Sequence, residues 1–246
     1  MKDLNAIRAA SRLLLLGAAL GLAACSSDDS STPAGAGVAG GAGGAGGGPG
    51  SHPDLGEGDG QDVITIGDSY MSLILTGIQQ SLERISGRDY RNYAVPGTRV
   101  LNEQIPNQYN QAVAADPDIK TVVMTGGGND VLGSTCTGTC AEIVDNVSAR
   151  ITELRNQMAE DGVEDVIIVS YGYPGDQNRH ASLDYSRGLL TQSCRKDVPP
   201  PRCHYIDPVE ELAGKISGDG IHPTGEGYDI LGQMVWDVMQ REGVRR

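Results

Sequence analysis

Ser69 stands in Gly67-Asp68-Ser69-Tyr70, directly behind the strand-like run Val63–Ile66. A serine hydroxyl is a poor nucleophile at neutral pH and needs a neighbouring base. Of the four histidines, His52 lies in a Gly-rich tract, and His180 and His204 lack a carboxylate at useful spacing. His222 has one: Asp219-Gly220-Ile221-His222-Pro223-Thr224 places Asp219 three residues earlier. On a tight loop that carboxylate can accept from the imidazole Nδ1–H and turn Nε2 towards Ser69. Pro223 stiffens the chain just beyond the histidine. Serine, histidine and aspartate so arranged are the minimum apparatus for acyl transfer through a serine nucleophile. Such chemistry also needs donors for the developing oxyanion. The Ser69 amide, expected at a helix N-terminus, is one. Gly97, in Val95-Pro96-Gly97-Thr98, can bring its N–H close because no side chain intervenes. Asn129, in Gly127-Gly128-Asn129-Asp130, offers a side-chain amide.

These residues work together only if the fold gathers them. Apolar runs predict strands at Val63–Ile66, Tyr90–Val95, Thr121–Thr125, Val166–Tyr171 and Tyr205–Ile206. Helical spacing predicts helices over Tyr70–Ile85, Leu101–Ala115 (kinked or divided at Pro106), Ala141–Asp161, Ser182–Ser193, Val209–Ile216 and Glu226–Arg241. Short apolar strands alternating with helices predict an α/β fold with a parallel five-stranded sheet covered on both faces. Right-handed crossovers make it a three-layer αβα, flavodoxin-like arrangement, in which ligands bind beyond the carboxyl ends of the strands. Ser69, Gly97, Asn129 and the Asp219/His222 pair all follow strands, so they fall on that one edge.

Together these blocks resemble the SGNH (GDSL-type) hydrolase family. Gly-Asp-Ser follows the first strand, an isolated Gly the second and Gly-x-Asn-Asp the third, with Asp-x-x-His near the C-terminus, over Asp62 to about Arg241. The resemblance implies a serine esterase or lipase-like hydrolase with Ser69 as nucleophile, His222 as base and Asp219 as its orienter. Gly97, Asn129 and the Ser69 amide would form the oxyanion hole, and no cofactor or metal is needed. Tyr70 departs from the family's usual Leu, which implies altered packing and not lost activity. Singly, each block has a plainer reading: a turn, a turn glycine, a helix cap or a locally bonded loop. Asp68 and Asp130 are read as braces for the backbone, not metal ligands.

The N-terminus makes a separate statement. Lys2, Arg8 and Arg12 precede an apolar stretch, Leu13–Ala24, too short to span a bilayer comfortably. It ends in Leu22-Ala23-Ala24-Cys25, which resembles the lipobox of bacterial lipoproteins and implies lipidation at Cys25. The plainer alternative is an ordinary secretory signal. Residues 1–24 are thus read as signal peptide, 25–61 as a lipidated cysteine with a flexible Gly/Ala-rich linker, and 62–246 as one hydrolase domain. Ser26, rather than Asp, follows Cys25, which favours the outer membrane or cell surface, or the periplasmic face. The formal net charge is −13, which argues against nucleic acid and strongly anionic lipid as partners. Four further cysteines suit an exported chain, with local pairs Cys136–Cys140 and Cys194–Cys203 favoured over other pairings or a zinc site.

The expected substrate is a small-molecule, glycan or lipid ester, with short acyl chains favoured. The expected pocket draws on Met71–Leu73, Val131–Gly133 and the Tyr171–Asn178 loop. An envelope-glycan O-acyltransferase or carbohydrate O-deacetylase would use the same constellation. A surface lipoprotein that keeps the fold only for binding is the non-enzyme alternative.

Overall fold

The computed structural model describes residues 60–195 and 201–246. The leader, Cys25 and nearly all of the linker lie outside the described residues. Five strands, β1 (Val63–Ile66), β2 (Arg91–Asn92), β3 (Thr121–Met124), β4 (Asp165–Val169) and β5 (Arg202–Ile206), form one sheet. Its order is β2-β1-β3-β4-β5 and every pairing is parallel. This is the flavodoxin-like order, with its reversal between β1 and β3.

Period-two alternation divides the core between two faces. Val63, Val123, Ile167 and Val169 pack in one cluster with residues of α1 (Ile78–Ser86) and α6 (Gly225–Glu242). Ile64, Ile66, Val122, Met124, Val166 and Ile168 pack in the other. That second cluster takes in residues of α2 (Gln104–Ala115), α4 (Ala141–Glu160) and α5 (His180–Ser193). A short helix, α3 (Gly128–Leu132), follows β3. All the described residues belong to one compact unit, Gly47–Arg246.

Several elements differ from the sequence expectation, each for a local reason. The first helix starts at Ile78 and not Tyr70. The Asp68 carbonyl accepts from the Met71 and Ser72 amides (3.1 Å each), making a turn. Leu73 and Thr76 then close a small hairpin by exchanging backbone bonds of 2.7 and 3.0 Å. Pro106 neither kinks nor divides its helix, because it occupies the third helical position, where the amide has no intrahelical partner to lose. Val209–Ile216 is a series of turns rather than a helix, with Gly214 at φ 73°. The edge strand β2 is short, but Tyr93 and Val95 continue its hydrogen bonding to Thr65 and Gly67. The closing helix α6 is well bounded. Thr224 Oγ accepts from the Gly227 amide (3.2 Å), and Gly243 ends the helix at φ 61°.

Candidate active site

The turn that carries Ser69 is held from below. Gly67 has φ 140°, and a Cβ there would lie 2.2 Å from Thr125 Oγ, so glycine alone fits this crossing of β1 and β3. Its peptide is clamped by the buried Gln108, whose Oε1 accepts from Gly67 N (2.6 Å) while Nε2 donates to Gly67 O (3.0 Å). Asp68 is fully buried behind the serine. Its carboxylate accepts from the Tyr70 amide (3.1 Å), the Thr125 hydroxyl (3.0 Å) and the Tyr171 hydroxyl (2.6 Å). Burial pushes the Asp68 carboxyl above its usual range, and those three hydrogen bonds pull against the shift. The same burial, followed by the neighbouring Asp68 charge, drives the Tyr171 hydroxyl well upward. Asp130 braces a second loop, accepting from the Val100 and Leu101 amides (2.9 Å each). Both aspartates thus hold backbone in place.

Across this turn lies the loop between β5 and α6. His222 Nε2 is 2.8 Å from Ser69 Oγ, and its Nδ1 is 2.7 Å from Asp219 Oδ2. A carboxylate only accepts, so Nδ1 carries the proton and Nε2 is left to accept from the serine hydroxyl. The second Asp219 oxygen accepts from the Ile221 amide (2.8 Å), the His222 amide (2.9 Å) and the Ser217 hydroxyl (2.7 Å). The carboxyl is therefore held well below its ordinary range, chiefly by the Ile221 amide and then by the His222 ring. Although half-exposed, it stays a fixed negative charge behind the imidazole. Ser69 lies 153 residues from His222 along the chain, and the structure brings it into one hydrogen-bonded line with the neighbouring Asp219–His222 pair.

Gly97 and Asn129 are linked through Thr98, and of the two only Asn129 lines the pocket beside Ser69. The Asn129 side-chain amide donates one bond to the Thr98 carbonyl (3.0 Å), which fixes its orientation. The Thr98 hydroxyl lies 2.9 Å from the Gly67 carbonyl, to which it donates, so this turn is tied to the turn that carries Ser69. Gly97, at φ 81°, forms the exposed crest of the 95–98 turn. No helix starts at Ser69, so its amide gains nothing from a helix dipole and acts as an ordinary backbone donor. Asn129 instead lies in the first turn of α3, an element the sequence pattern did not signal.

Tyrosines bind the two halves of the site together, and their roles were not legible in the sequence. Tyr70, almost completely buried, donates its hydroxyl to the Ile221 carbonyl (2.9 Å), one residue before His222. Its ring meets Tyr171 edge-on at 4.7 Å and lies 6.3 Å from Tyr228. Tyr228 in turn donates to the Ser69 carbonyl (3.3 Å). Burial pushes the Tyr70 and Tyr228 hydroxyls upward, which keeps both as neutral donors.

A pocket opens beside Ser69. Gly126–Asn129 form one wall without large side chains, and a Cβ on Gly127 or Gly128 would strike Val147 or Tyr171 at 2.7 and 2.9 Å. The remaining walls include Val131, Leu132, Val144, Val147 and Leu183. Val131, Leu132 and the Tyr171 loop were expected here. Met71 was not well placed for that role: it is fully buried in the core, and Ser72, Leu73 and Gly133 also fall outside the lining. The contributions of α4 and α5 went unread, because in sequence they look like ordinary amphipathic helices. Arg179 also borders the pocket. Its guanidinium donates to the carbonyls of Val131 (3.1 Å), Ser134 (3.3 Å) and Cys136 (2.7 Å), which pins the segment after α3.

His204 does have a carboxylate partner, contrary to the expectation from spacing along the chain. Its Nε2 donates to Asp165 Oδ1 (2.8 Å), on the neighbouring strand. Asp165 begins β4, so this pair sits at the amino end of the sheet, away from Ser69. His180 Nε2 donates to the Pro174 carbonyl (2.8 Å) and stacks on Tyr173. The four cysteines join as Cys136–Cys140 and Cys194–Cys203.

The model of the GDSL-like lipase/acylhydrolase family matches residues 55–230. The chain belongs to that family. It is an ester-hydrolysing enzyme. Solved structures share its fold at low identity. Axe2, an acetylxylan esterase from Geobacillus stearothermophilus, superposes with a TM-score of 0.57 at 17% identity, over 78% of this chain and 100% of that one. A protein described as an SGNH hydrolase from Slackia heliotrinireducens gives 0.55 at 13% identity, over 72% and 97%. A lipolytic protein of the G-D-S-L family from Desulfitobacterium hafniense gives 0.53 at 13%, over 72% and 98%. No curated protein sequence matches the chain.

Proposed function

We propose that the chain is an exported, lipid-anchored serine esterase that cleaves carboxylic esters through an acyl-enzyme on Ser69. The observation that carries this reading is the continuous hydrogen-bonded line Asp219–His222–Ser69, at 2.7 and 2.8 Å. His222 Nε2 removes the hydroxyl proton as Ser69 Oγ attacks the ester carbonyl carbon, and Asp219 stabilises the imidazolium that forms. The negative charge on the carbonyl oxygen is met by the Ser69 amide, the Gly97 amide and the free N–H of the Asn129 side chain. His222 then protonates the departing alkoxide. Water attacks the acyl-enzyme in the same way, with His222 again as base, and frees the acid.

The apolar recess formed by Val131, Val147 and Leu183 takes the acyl group, and its walls on α3, α4 and α5 favour short chains. The alcohol portion leaves towards the open rim near Gly97. Cys25 carries the lipid and residues 26–61 separate the catalytic domain, 62–246, from the membrane, at the outer membrane or cell surface. A p-nitrophenyl ester series tests the acyl assignment. Leu183→Trp should fill the recess and shift the preferred chain downward, with acetate turnover retained. An unchanged profile places the acyl group elsewhere. Carbohydrate O-deacetylation is the second reading, favoured by the fold shared with an acetylxylan esterase. Release of acetate from acetylated xylo-oligosaccharides faster than from p-nitrophenyl acetate would select it.

A further inference from the structure

Among the described residues, the exposed large aliphatic side chains are Ile74, Leu75, Val95, Leu101 and Ile221. Every one lies in a loop that leaves the carboxyl end of a strand: two after β1, two after β2 and one after β5. They therefore ring the edge that carries Ser69, and the other surfaces of the domain carry none among the described residues. The two extreme cases are neighbours, with Ile74 at 86% and Leu75 at 96% of full exposure.

The backbone beneath this pair is built for display. Leu73 and Thr76 close a two-residue hairpin with Ile74 and Leu75 at its tip. Leu75 adopts φ 62°, the left-handed conformation that a turn normally gives to Gly or Asn. A bulky aliphatic residue at such a position breaks the local rule with no packing gain, which points to a function outside the fold. The excursion is anchored at its base, where the Ile78 amide donates to the Tyr70 carbonyl (3.1 Å) and Gln79 to Met71 (3.1 Å). It is a short, pinned knob five residues beyond the nucleophile.

We propose that the Ile74–Leu75 tip inserts into an uncharged lipid surface, docking the active-site edge against a zwitterionic membrane. Charge selects this occupant. With a net charge of −13, the chain repels both anionic lipid and a second copy of itself. A convex pair of aliphatic side chains also suits a fluid medium that closes around it better than a flat, rigid partner. The chain outside the described structure fits as well. Lipidation at Cys25 leaves residues 26–61 between anchor and domain, and segments of that Gly/Ala-rich composition and length reach roughly 30 Å as coils. The tip can thus touch the membrane that holds the anchor.

The test needs no turnover. Residues 47–246, which hold the whole compact unit, are prepared with Ser69→Ala and mixed with vesicles of ether-linked phosphatidylcholine. The protein should cosediment, and Ile74→Ser/Leu75→Gly should weaken partitioning about tenfold or more. With Ser69 restored, the double variant should hydrolyse a monomeric short-chain ester at the unchanged rate. It should melt at the same temperature or higher, because glycine suits the left-handed position. Absence of vesicle binding, or equal binding by the double variant, overturns the proposal. A concentration-dependent dimer lost in the double variant would assign the tip to self-association instead. Lowered turnover of the monomeric ester would assign it to the substrate. Failure on vesicles leaves the esterase reading intact, since binding is read without catalysis.

Discussion

Replacing Tyr70 with Phe isolates one bond that joins the Ser69 turn to the His222 loop. The ring stays, and with it the edge contact to Tyr171 at 4.7 Å, while the hydroxyl bond to the Ile221 carbonyl at 2.9 Å is lost. A single neutral hydrogen bond contributes about 1 kcal/mol net. If that bond sets how often His222 Nε2 sits within reach of Ser69 Oγ, the whole amount is lost from the transition state. About 1 kcal/mol corresponds to about a fivefold fall in rate. The fall should appear in kcat, with KM for a p-nitrophenyl ester unchanged, because the acyl recess is not altered. The melting temperature should drop by only about 2–4 °C for a domain of this size. Burial holds the Tyr70 hydroxyl neutral well into alkaline pH, so the shape of the pH–rate profile should not change. Tyr70→Leu, which restores the residue usual in the family, removes the ring as well and should cost about 2–3 kcal/mol of stability. Wild-type kcat in Tyr70→Phe, or a change confined to KM, would refute the positioning argument.

Two further perturbations follow from the same geometry. Asp219→Asn should lower kcat by about 10³–10⁴-fold while leaving KM nearly unchanged, since it disturbs the imidazole tautomer and not the pocket. The Asp219 carboxyl titrates below its unfolded value, so its stabilising contribution is complete above about pH 4 and disappears as pH falls through the folded value. The gap in melting temperature between wild type and Asp219→Asn should therefore narrow from pH 5 to pH 2; a constant gap would show that the carboxylate is not held down. Reducing both disulfides removes closures of sequence separation 4 and 9, each worth about 2–3 kcal/mol by loop-closure entropy. Melting scans with and without reductant should differ clearly, and activity should fall as the Arg179-pinned segment that ends at Cys136 loosens. Unchanged melting would remove the disulfides from the account of stability.

The sheet was legible because its strands are short, apolar and bounded by Gly- and Pro-containing turns, and a parallel α/β sheet then fixes which edge carries the loops. That edge, the three-residue spacing of Asp219 and His222 and the family's sequence blocks together made the grouping of Ser69, Asp219 and His222 legible. What escaped was whatever depends on contacts between segments distant in sequence. Tyr70, Met71, Leu73 and Ile74 mimic a helical stripe, yet the backbone bonds to Asp68 and the Leu73–Thr76 hairpin delay the helix to Ile78. The Asp165–His204 pair exists only because β4 and β5 are in register, which spacing along the chain cannot show. The tyrosine brace and the pocket walls from α4 and α5 likewise join segments that read separately as core and amphipathic helix. Tyr70 did give a signal, as the one departure from the family's nucleophile motif, but its partner could be identified only in three dimensions.

In the proposed function Ser69 is the nucleophile, made reactive by His222. Treating the intact chain with a fluorophosphonate and mapping the adduct by mass spectrometry tests it directly. The expected result is a single stoichiometric adduct on Ser69, loss of esterase activity in step with labelling, no adduct in Ser69→Ala and strongly slowed labelling in His222→Ala. Ester turnover that survives in Ser69→Ala, or an adduct on another residue, would contradict it.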